Sequence, residues 1–319
     1  MRAERRLAEP LVAPRVGRIG VIVNEQAGGV RRRPGLAARL ERIVGDAGFV
    51  VSTHTVGEVA CAARRAAVEE VDTVGICGGD GTNVHTLSAI ASAIRDRPWP
   101  RITLLAGGTV NAAAHNLAAG GDAERQLGRL LSSDEPRVRR SPLLRVNDRV
   151  GFIFGTHFIA RVLDAYYAGR TGPLGAAFLA SRIVGSAVAR TAFARSLMAP
   201  EAVSLTVDGR DFGTLAITGL MACVVAAPAV GMRATHRAGE DGGFHLAATT
   251  APPGTVAREV GRLWAGLKVR ALEVDEVAYR ATLAFPRGTR YAIDGDLFDG
   301  DLIELSATAP VDVLLPERR

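Results

Sequence analysis

The stretch DTVGICGGDGTNVHTLSAIASAI, residues 72–94, begins as an apolar run, passes through three glycines around one aspartate, and continues as an amphipathic run. Residues 72–77 predict a buried strand and residues 84–94 predict a helix. Glycines at 78, 79 and 81 leave backbone N–H groups open to an anion, and the positive end of the helix dipole points to the same place. A phosphate-binding loop and an ordinary glycine-rich turn with a hydrogen-bonded aspartate both fit this stretch.

The first 120 residues repeat this strand–loop–helix pattern. Predicted strands are 17–24, 49–55, 72–77 and 101–106, and predicted helices are 34–48, 58–70, 84–94 and 110–118. The alternation indicates a parallel sheet covered by helices on both faces. Glycine-bearing loops follow three of the strands, at 24–33, 78–82 and 107–109. Because such sheets bind ligands at the carboxyl ends of their strands, the loops predict a nucleotide site. Arg31–Arg33 would add positive charge there, unless that run is a solvated loop.

Two common phosphate-binding motifs are excluded. The chain has a single lysine, Lys268, far from any glycine-rich loop, so it contains neither a Walker loop nor a protein-kinase strand lysine. The glycine spacing also differs from the dinucleotide fingerprint. If phosphates bind, then backbone amides, hydroxyl groups and arginines must hold them.

The composition of the 319-residue chain indicates about two domains. A net charge of +6 suits nucleotides, nucleic acid or anionic lipid, while an aromatic content of 5% argues against a single-strand nucleic-acid reader. Three cysteines match no zinc or redox motif, which favours a reduced, cytoplasmic location. Residues 1–16 are expected to be a loose tail. The uncharged stretch 212–232 is interrupted by glycine and proline, so two buried strands are favoured over a membrane span.

After about residue 140 the pattern changes to short strands separated by Gly, Asp and Pro turns. This change predicts a second, mainly antiparallel domain. Within it, residues 174–198 predict a helix that contains Arg182, Arg190 and Arg195.

Three motifs in this order carry a family resemblance: GGDGT at 78–82, GGTVN at 107–111 and DGD at 294–296. Together they resemble the diacylglycerol kinase catalytic-domain family over residues 17–316. The resemblance implies an α/β nucleotide-binding domain, 17–140, completed by a last strand within 306–319, and an antiparallel β-sandwich lipid domain, 141–305. It also implies an ATP-dependent lipid kinase that uses Mg²⁺ and phosphorylates diacylglycerol or a related lipid alcohol.

The resemblance also assigns site residues. Gly78, Gly79, Asp80, Gly81 and Thr82 match the ATP-phosphate loop, and Asn24, Thr55 and Thr109 match further nucleotide contacts. Asp296, helped by Asp294 and with Asp80 nearby, would activate the lipid hydroxyl. Asp241 matches a turn that holds a structural magnesium in relatives. Without the resemblance, Asp294 and Asp296 could equally be exposed turn residues.

The sequence departs from the family pattern at several positions. Val84 and His85 stand where the family has Asn-Glu, Ala112 replaces an aspartate, and Asp296 replaces a glutamate. These changes leave open a nucleotide- or lipid-binding relative without turnover. NAD kinase, which shares GGDGT, is disfavoured.

The predicted partners are ATP and a lipid alcohol, without nucleic acid. A homodimer and peripheral contact with an anionic membrane, through the helix at 172–198, are left open. Packing of that helix on the antiparallel domain is the favoured alternative.

Overall fold

The computed structural model describes residues 11–12, 15–69, 71–94, 97–108, 111–117, 119, 121–169, 172–189, 191–228 and 232–316. The strands, in chain order, are β1 (Leu11–Val12), β2 (Ile19–Asn24), β3 (Gly48–Thr53), β4 (Thr73–Gly78), β5 (Arg101–Ala106), β6 (Arg137–Ser141), β7 (Leu144–Val146), β8 (Arg149–Gly151), β9 (Ile153–His157), β10 (Glu201–Val207), β11 (Arg210–Ile217), β12 (Gly219–Cys223), β13 (Phe244–Thr249), β14 (Val274–Ala278), β15 (Arg280–Ile293), β16 (Asp296–Ala307) and β17 (Val311–Leu315). The α-helices are α1 (Gly28–Arg31), α2 (Leu36–Val44), α3 (Val56–Val68), α4 (Asp80–Ile94), α5 (Ala112–Asn116), α6 (Ala123–Leu131), α7 (Phe158–Ala168), α8 (Pro173–Val188), α9 (Ala192–Leu197) and α10 (Pro253–Ala265).

The first sheet has seven strands in the order β1-β6-β17-β5-β4-β2-β3. Strands β17, β5, β4, β2 and β3 run parallel, β6 pairs antiparallel with β17 at one edge, and β1 pairs antiparallel with β6. β4 is completely buried, as expected for a parallel strand with helices on both faces. The last strand of the chain, β17, thus lies inside the sheet that the first strands begin.

The second sheet has ten strands, and every pairing in it is antiparallel. Its main order is β14-β13-β12-β9-β15-β16-β7-β8, with β10 joining β15 to β11. The longest members, β15 and β16, form a hairpin whose register shifts between Ala284 and Thr289. The turn of this hairpin, at Asp294 and Gly295, points toward the first sheet. The residue after the turn, Asp296, lies against Gly81 at the start of α4.

Helix α4 connects the two sheets. It packs on α3 and β4 of the first sheet and on β8 of the second. Its buried residues Leu87 and Ile90 belong to the same apolar cluster as Phe152 of the second sheet. The Val150 N–H also donates to the Ser88 hydroxyl at 2.9 Å. The apolar core is therefore continuous between the sheets, and the start of α4 is held between them.

The predicted fold class, an α/β domain plus an antiparallel sheet domain, is confirmed. One difference lies in the quoted stretch, because α4 begins at Asp80 rather than at residue 84. Residues 80–83 form its first turn, where an aspartate interacts favourably with the helix dipole. The loop between strand and helix is correspondingly shorter than predicted.

Within the uncharged stretch 212–232, where two strands were predicted, residues 212–217 end β11 and residues 219–223 form β12, while residues 229–231 lie outside the described residues. The expected burial holds for most of β12, whereas β11 is largely exposed because it pairs only with β10. Among the described residues, no helix is both long enough and apolar enough to cross a bilayer.

Candidate active site

The three glycine-bearing loops meet at the carboxyl ends of the parallel strands, as the topology predicted. The N–H groups of Gly29 and Val30 donate to the Gly107 carbonyl at 2.8 and 3.0 Å, and the Gly107 N–H donates to the Gly78 carbonyl at 3.0 Å. A Cβ on Gly108 would lie 2.4 Å from the Cα of Gly79. These glycines therefore allow backbone-to-backbone packing, and the N–H groups of Gly29 and Val30 already have partners.

Asn24 and Thr82 are joined across the first sheet. The Asn24 side-chain amide at the end of β2 donates to the Thr82 hydroxyl in the first turn of α4, at 2.9 Å. The Oδ1 atom of Asn24 accepts the Gln26 N–H at 2.9 Å. Two residues predicted to contact the nucleotide are thus brought together and fixed in orientation.

Asp80 connects the second loop to the third. Its two carboxylate oxygens accept the N–H groups of Ala112 and Ala113, at 3.1 and 3.2 Å, and so cap the start of α5. Burial raises the pKa of Asp80, and these backbone hydrogen bonds partly oppose that rise. The aspartate at the centre of the glycine motif therefore orders the neighbouring loop. Ala112, where the family has aspartate, supplies its N–H to this cap.

Asp294 is buried and holds the β15–β16 turn against β9. It has a left-handed backbone (φ 46°), and its carboxylate accepts the N–H groups of Phe152 at 3.0 Å and Ile153 at 2.7 Å. Burial raises the pKa of Asp294 well above its ordinary value, and the charges of Asp80 and Asp296 act in the same direction. Asp294 is therefore not an exposed turn residue, and its carboxylate is committed to the fold.

Asp296, in contrast, is partly exposed and lies over the start of α4. Its side chain is 34% exposed, and its Oδ2 is 2.7 Å from the His85 Nε2. A Cβ on Gly81 would lie 2.5 Å from its Oδ1, so a side chain at position 81 would displace this carboxylate from its present place. The structure thus places the predicted base beside the predicted phosphate loop. The residue that contacts Asp296 is His85, one of the positions that depart from the family pattern.

Tyr167, from α7, covers the same turn and was not found from the sequence. Its hydroxyl donates to the Gly295 carbonyl at 2.7 Å. Burial raises the pKa of Tyr167 to about 12, with the Asp296 charge as the next contribution. A tyrosine in an amphipathic helix gives no local signal of such a contact, which depends on the folding of the second sheet.

The remaining predicted residues lie apart from this cluster or outside the described residues. The Thr55 hydroxyl caps α3 by accepting the Glu58 N–H at 3.2 Å. Arg33, from the basic run, pairs with Asp122 at 2.9 Å. Thr109 lies outside the described residues.

The magnesium predicted at Asp241 finds little support in the arrangement around it. Asp241 is exposed in a short 3-10 turn. Over the part of the chain that the structure describes, no three His, Cys, Asp or Glu side chains are grouped as metal ligands would be. A magnesium ion at Asp241 therefore stays a prediction.

Comparison with known proteins agrees with this geometry. Residues 18–140 match the model of the diacylglycerol kinase catalytic domain. The resemblance drawn from the motifs is therefore confirmed over this part of the chain.

Three solved structures from Bacillus anthracis share the fold. One, described as a diacylglycerol kinase, is 13% identical, with a TM-score of 0.62 over 93% of this chain and 96% of the other. The second is 14% identical, with a TM-score of 0.63 over 91% and 94% of the two chains. The third is 13% identical, with a TM-score of 0.64 over 93% and 96%. No curated protein matches the sequence.

Proposed function

We propose that this protein is an ATP-dependent kinase that phosphorylates the hydroxyl group of diacylglycerol or a related lipid alcohol. The observation that supports it best is the partly exposed Asp296 carboxylate over Gly81 in the first turn of α4. In this proposal, residues 17–140, with the last strand from 306–319, bind the nucleotide. Residues 141–305 bind the lipid and supply Asp296 from their long hairpin.

Phosphoryl transfer requires positioning and neutralisation of charge more than covalent chemistry by the protein. The N-terminus of α4 offers backbone N–H groups and a positive dipole end to the ATP phosphates. Thr82, oriented by Asn24, would add a hydroxyl. Magnesium enters as part of the Mg–ATP substrate, whose phosphate oxygens are ligands that it prefers.

Asp296 would act as the general base that removes the proton from the attacking lipid hydroxyl. Asp80 and Asp294 are less suited to this role, because backbone N–H groups already occupy their carboxylates. His85 would position Asp296. One carboxylate oxygen is held by the imidazole at 2.7 Å, which leaves the other for the substrate.

The test is transfer of labelled phosphate from Mg–ATP to vesicles that contain diacylglycerol and to a cellular lipid extract, with product mass as the readout. Asp296→Asn should lower kcat by about a hundredfold or more, within the range for loss of a general base, and leave ATP binding intact. His85→Ala should lower kcat by about tenfold, the order expected for a small misplacement of the base. Asp301→Asn, an exposed aspartate on the same strand, is the matched control. No lipid product with wild-type protein, or equal rates for Asp296→Asn and wild type, would contradict the proposal.

A second candidate is a relative that binds nucleotide or lipid without turnover. It is favoured by the structural use of Asp80 and Asp294, which leaves Asp296 as the one aspartate of the three that these backbone hydrogen bonds do not commit to the fold. Calorimetry that detects ATP binding, together with no transfer to any lipid or to NAD, would select this candidate. Formation of NADP would instead select an NAD kinase.

A further inference from the structure

Helices α8 and α10 pack side by side and expose a group of large apolar side chains. Leu174 is 88% exposed and Phe178 68% on α8, while Trp264 is 50% exposed in α10 and Leu267 51% just after it. Elsewhere in the described chain, large exposed apolar residues occur singly or in pairs on different elements. Large apolar side chains exposed together on two packed helices indicate an interaction site, whereas residues scattered singly over the surface do not.

The stretches of chain that contain α8, α9 and α10, with the residues just after α10, carry an excess of positive charge. Residues 172–198 and 253–271 contain seven of the 39 Lys and Arg residues and one of the 33 Asp and Glu residues, Glu259. The remaining 32 of each sign cancel, so the net charge of +6 is located here. Arg258 and Lys268 are exposed and make no ion pair with any described residue. Arg182 is exposed over the Phe193 ring, at 4.1 Å from its centroid.

Helix α10 is loosely packed for an amphipathic helix. Hydrophobic and charged residues alternate with helical periodicity along it, yet none of its residues is buried. In a globular protein, the apolar side of such a helix is normally covered by the core. Here it is only partly covered by α8, so both helices keep apolar area that a partner can bury.

We propose that this α8–α10 surface, formed by Leu174, Phe178, Trp264 and Leu267 with the basic residues Arg182, Arg258, Lys268 and Arg270, docks onto anionic lipid bilayers. Leucine, phenylalanine and tryptophan gain from contact with the acyl boundary, while lysine and arginine are attracted to anionic headgroups. A nucleic-acid partner would use the positive charge but would leave the aliphatic residues exposed to water. The surface is defined independently of the kinase proposal, since none of these residues belongs to the candidate site.

The test is cosedimentation of the full chain with vesicles of phosphatidylcholine alone and of phosphatidylcholine mixed equally with phosphatidylglycerol. Strong binding is expected only to the anionic vesicles, and it should weaken with added salt. Arg258→Glu and Lys268→Glu should each reduce the partition coefficient about tenfold, because each reverses a charge near the surface. Leu174→Ser combined with Phe178→Ser should also reduce binding, without a change in unfolding temperature, because both side chains are already exposed.

Matched controls come from exposed positions on other elements. Arg125→Glu on α6 makes the same charge change, and Val68→Ser on α3 removes an exposed apolar residue. Both should bind vesicles as the wild type does.

Trp264 provides a direct readout, because the chain has one other tryptophan, Trp99. In a Trp99→Phe background, its emission should shift to shorter wavelength with anionic vesicles. Absence of this shift, equal loss of binding in the controls and the surface variants, or tighter binding to DNA than to vesicles would overturn the proposal. Failure of the kinase assay would not affect it.

Discussion

Asp296 and Asp294 are two residues apart and have opposite environments. Asp294 is fully buried, with backbone N–H groups as its partners, while Asp296 is partly exposed and bound by His85. The left-handed backbone at Asp294 turns the chain so that the two carboxylates point to different places. One aspartate thereby fixes the hairpin turn, and the other stays partly exposed beside the start of α4.

His157 is a titratable residue whose burial disfavours its protonated form. It ends β9 with a positive φ of 59°, and its buried ring packs on Phe285 at 5.6 Å. Among the described residues, neither ring nitrogen has a hydrogen-bond partner, and the Glu201 Oε2 lies 4.0 Å from Nε2. Burial lowers the pKa of His157 to about 4, with the Glu201 charge opposing this shift.

The resulting prediction concerns acid stability. The folded protein disfavours protonation of His157, whereas the unfolded chain accepts it near the ordinary pKa of 6.5. The contribution of His157 to the free energy of unfolding is therefore greatest above pH 6.5. It decreases by roughly 3 kcal/mol as the pH falls toward about 4. His157→Phe, which keeps the ring, should show a smaller decrease in the free energy of unfolding between these pH values. Urea titrations at several pH values measure this, and parallel pH dependences for the two proteins would contradict it.

At the scale of elements, the glycine-bearing loops after β2 and β5 are held together by direct backbone contact. A Cβ on Gly29 in α1 would lie 2.6 Å from the Gly107 carbonyl oxygen. A Cβ on Gly128 in α6 would have no atom within 4 Å. Backbone packing therefore requires glycine at position 29, whereas the surroundings of position 128 leave room for a side chain.

Alanine at these two positions should have opposite effects on stability. Gly29→Ala forces two loops apart and should lower the free energy of unfolding by about 1–3 kcal/mol, the usual cost of overpacking. Gly128→Ala should raise it by about 0.5–1 kcal/mol, because alanine is the better helix former. Denaturant unfolding measures both. A loss of similar size in both variants would show that the contact between loops is not the cause.

Sequence periodicity predicted most elements of the first sheet, because each of its strand–loop–helix units is local in the chain. Helix α10 was not predicted, although Pro253 at its first position and Gly266 after its end are ordinary helix boundary signals. The predicted start of α4 is four residues late, because glycine and aspartate are more typical of a loop than of a first helical turn. Local patterns therefore locate elements well but set their ends poorly.

On the scale of the whole molecule, some contacts of the site could be predicted from the sequence and others could not. Parallel strands bring the three glycine loops to one edge, so their meeting follows from topology. The approach of Asp296 to Gly81 joins residues 215 positions apart through a hairpin of the other sheet. No local pattern encodes that contact, and it was expected only from the family resemblance. Tyr167 and the partnership of His85 with Asp296 required the structure.

Strand β17 makes the first sheet depend on the far end of the chain. It lies between β5 and β6, and Val311 pairs with Ser141. We expect residues 15–141 alone to lack a stable fold, because β5 and β6 would each lose a neighbouring strand. Joining Ser141 to Val311 through a two-residue Asn-Gly turn should restore protection, since their antiparallel register suits such a turn. Amide hydrogen exchange compares the two fragments, and equal protection in both would contradict the expected role of β17.

This late strand also bears on how the protein is made. A ribosome releases β2 to β5 long before β17, so the nascent chain carries an incomplete parallel sheet while the antiparallel sheet is being synthesised. Domains usually fold as they emerge, but here the first to emerge is completed by the last strand. The antiparallel sheet can therefore finish first and present its hairpin to an unfinished partner. Because Asp296 itself begins β16, its contact with Gly81 can form only after almost the whole chain has been synthesised.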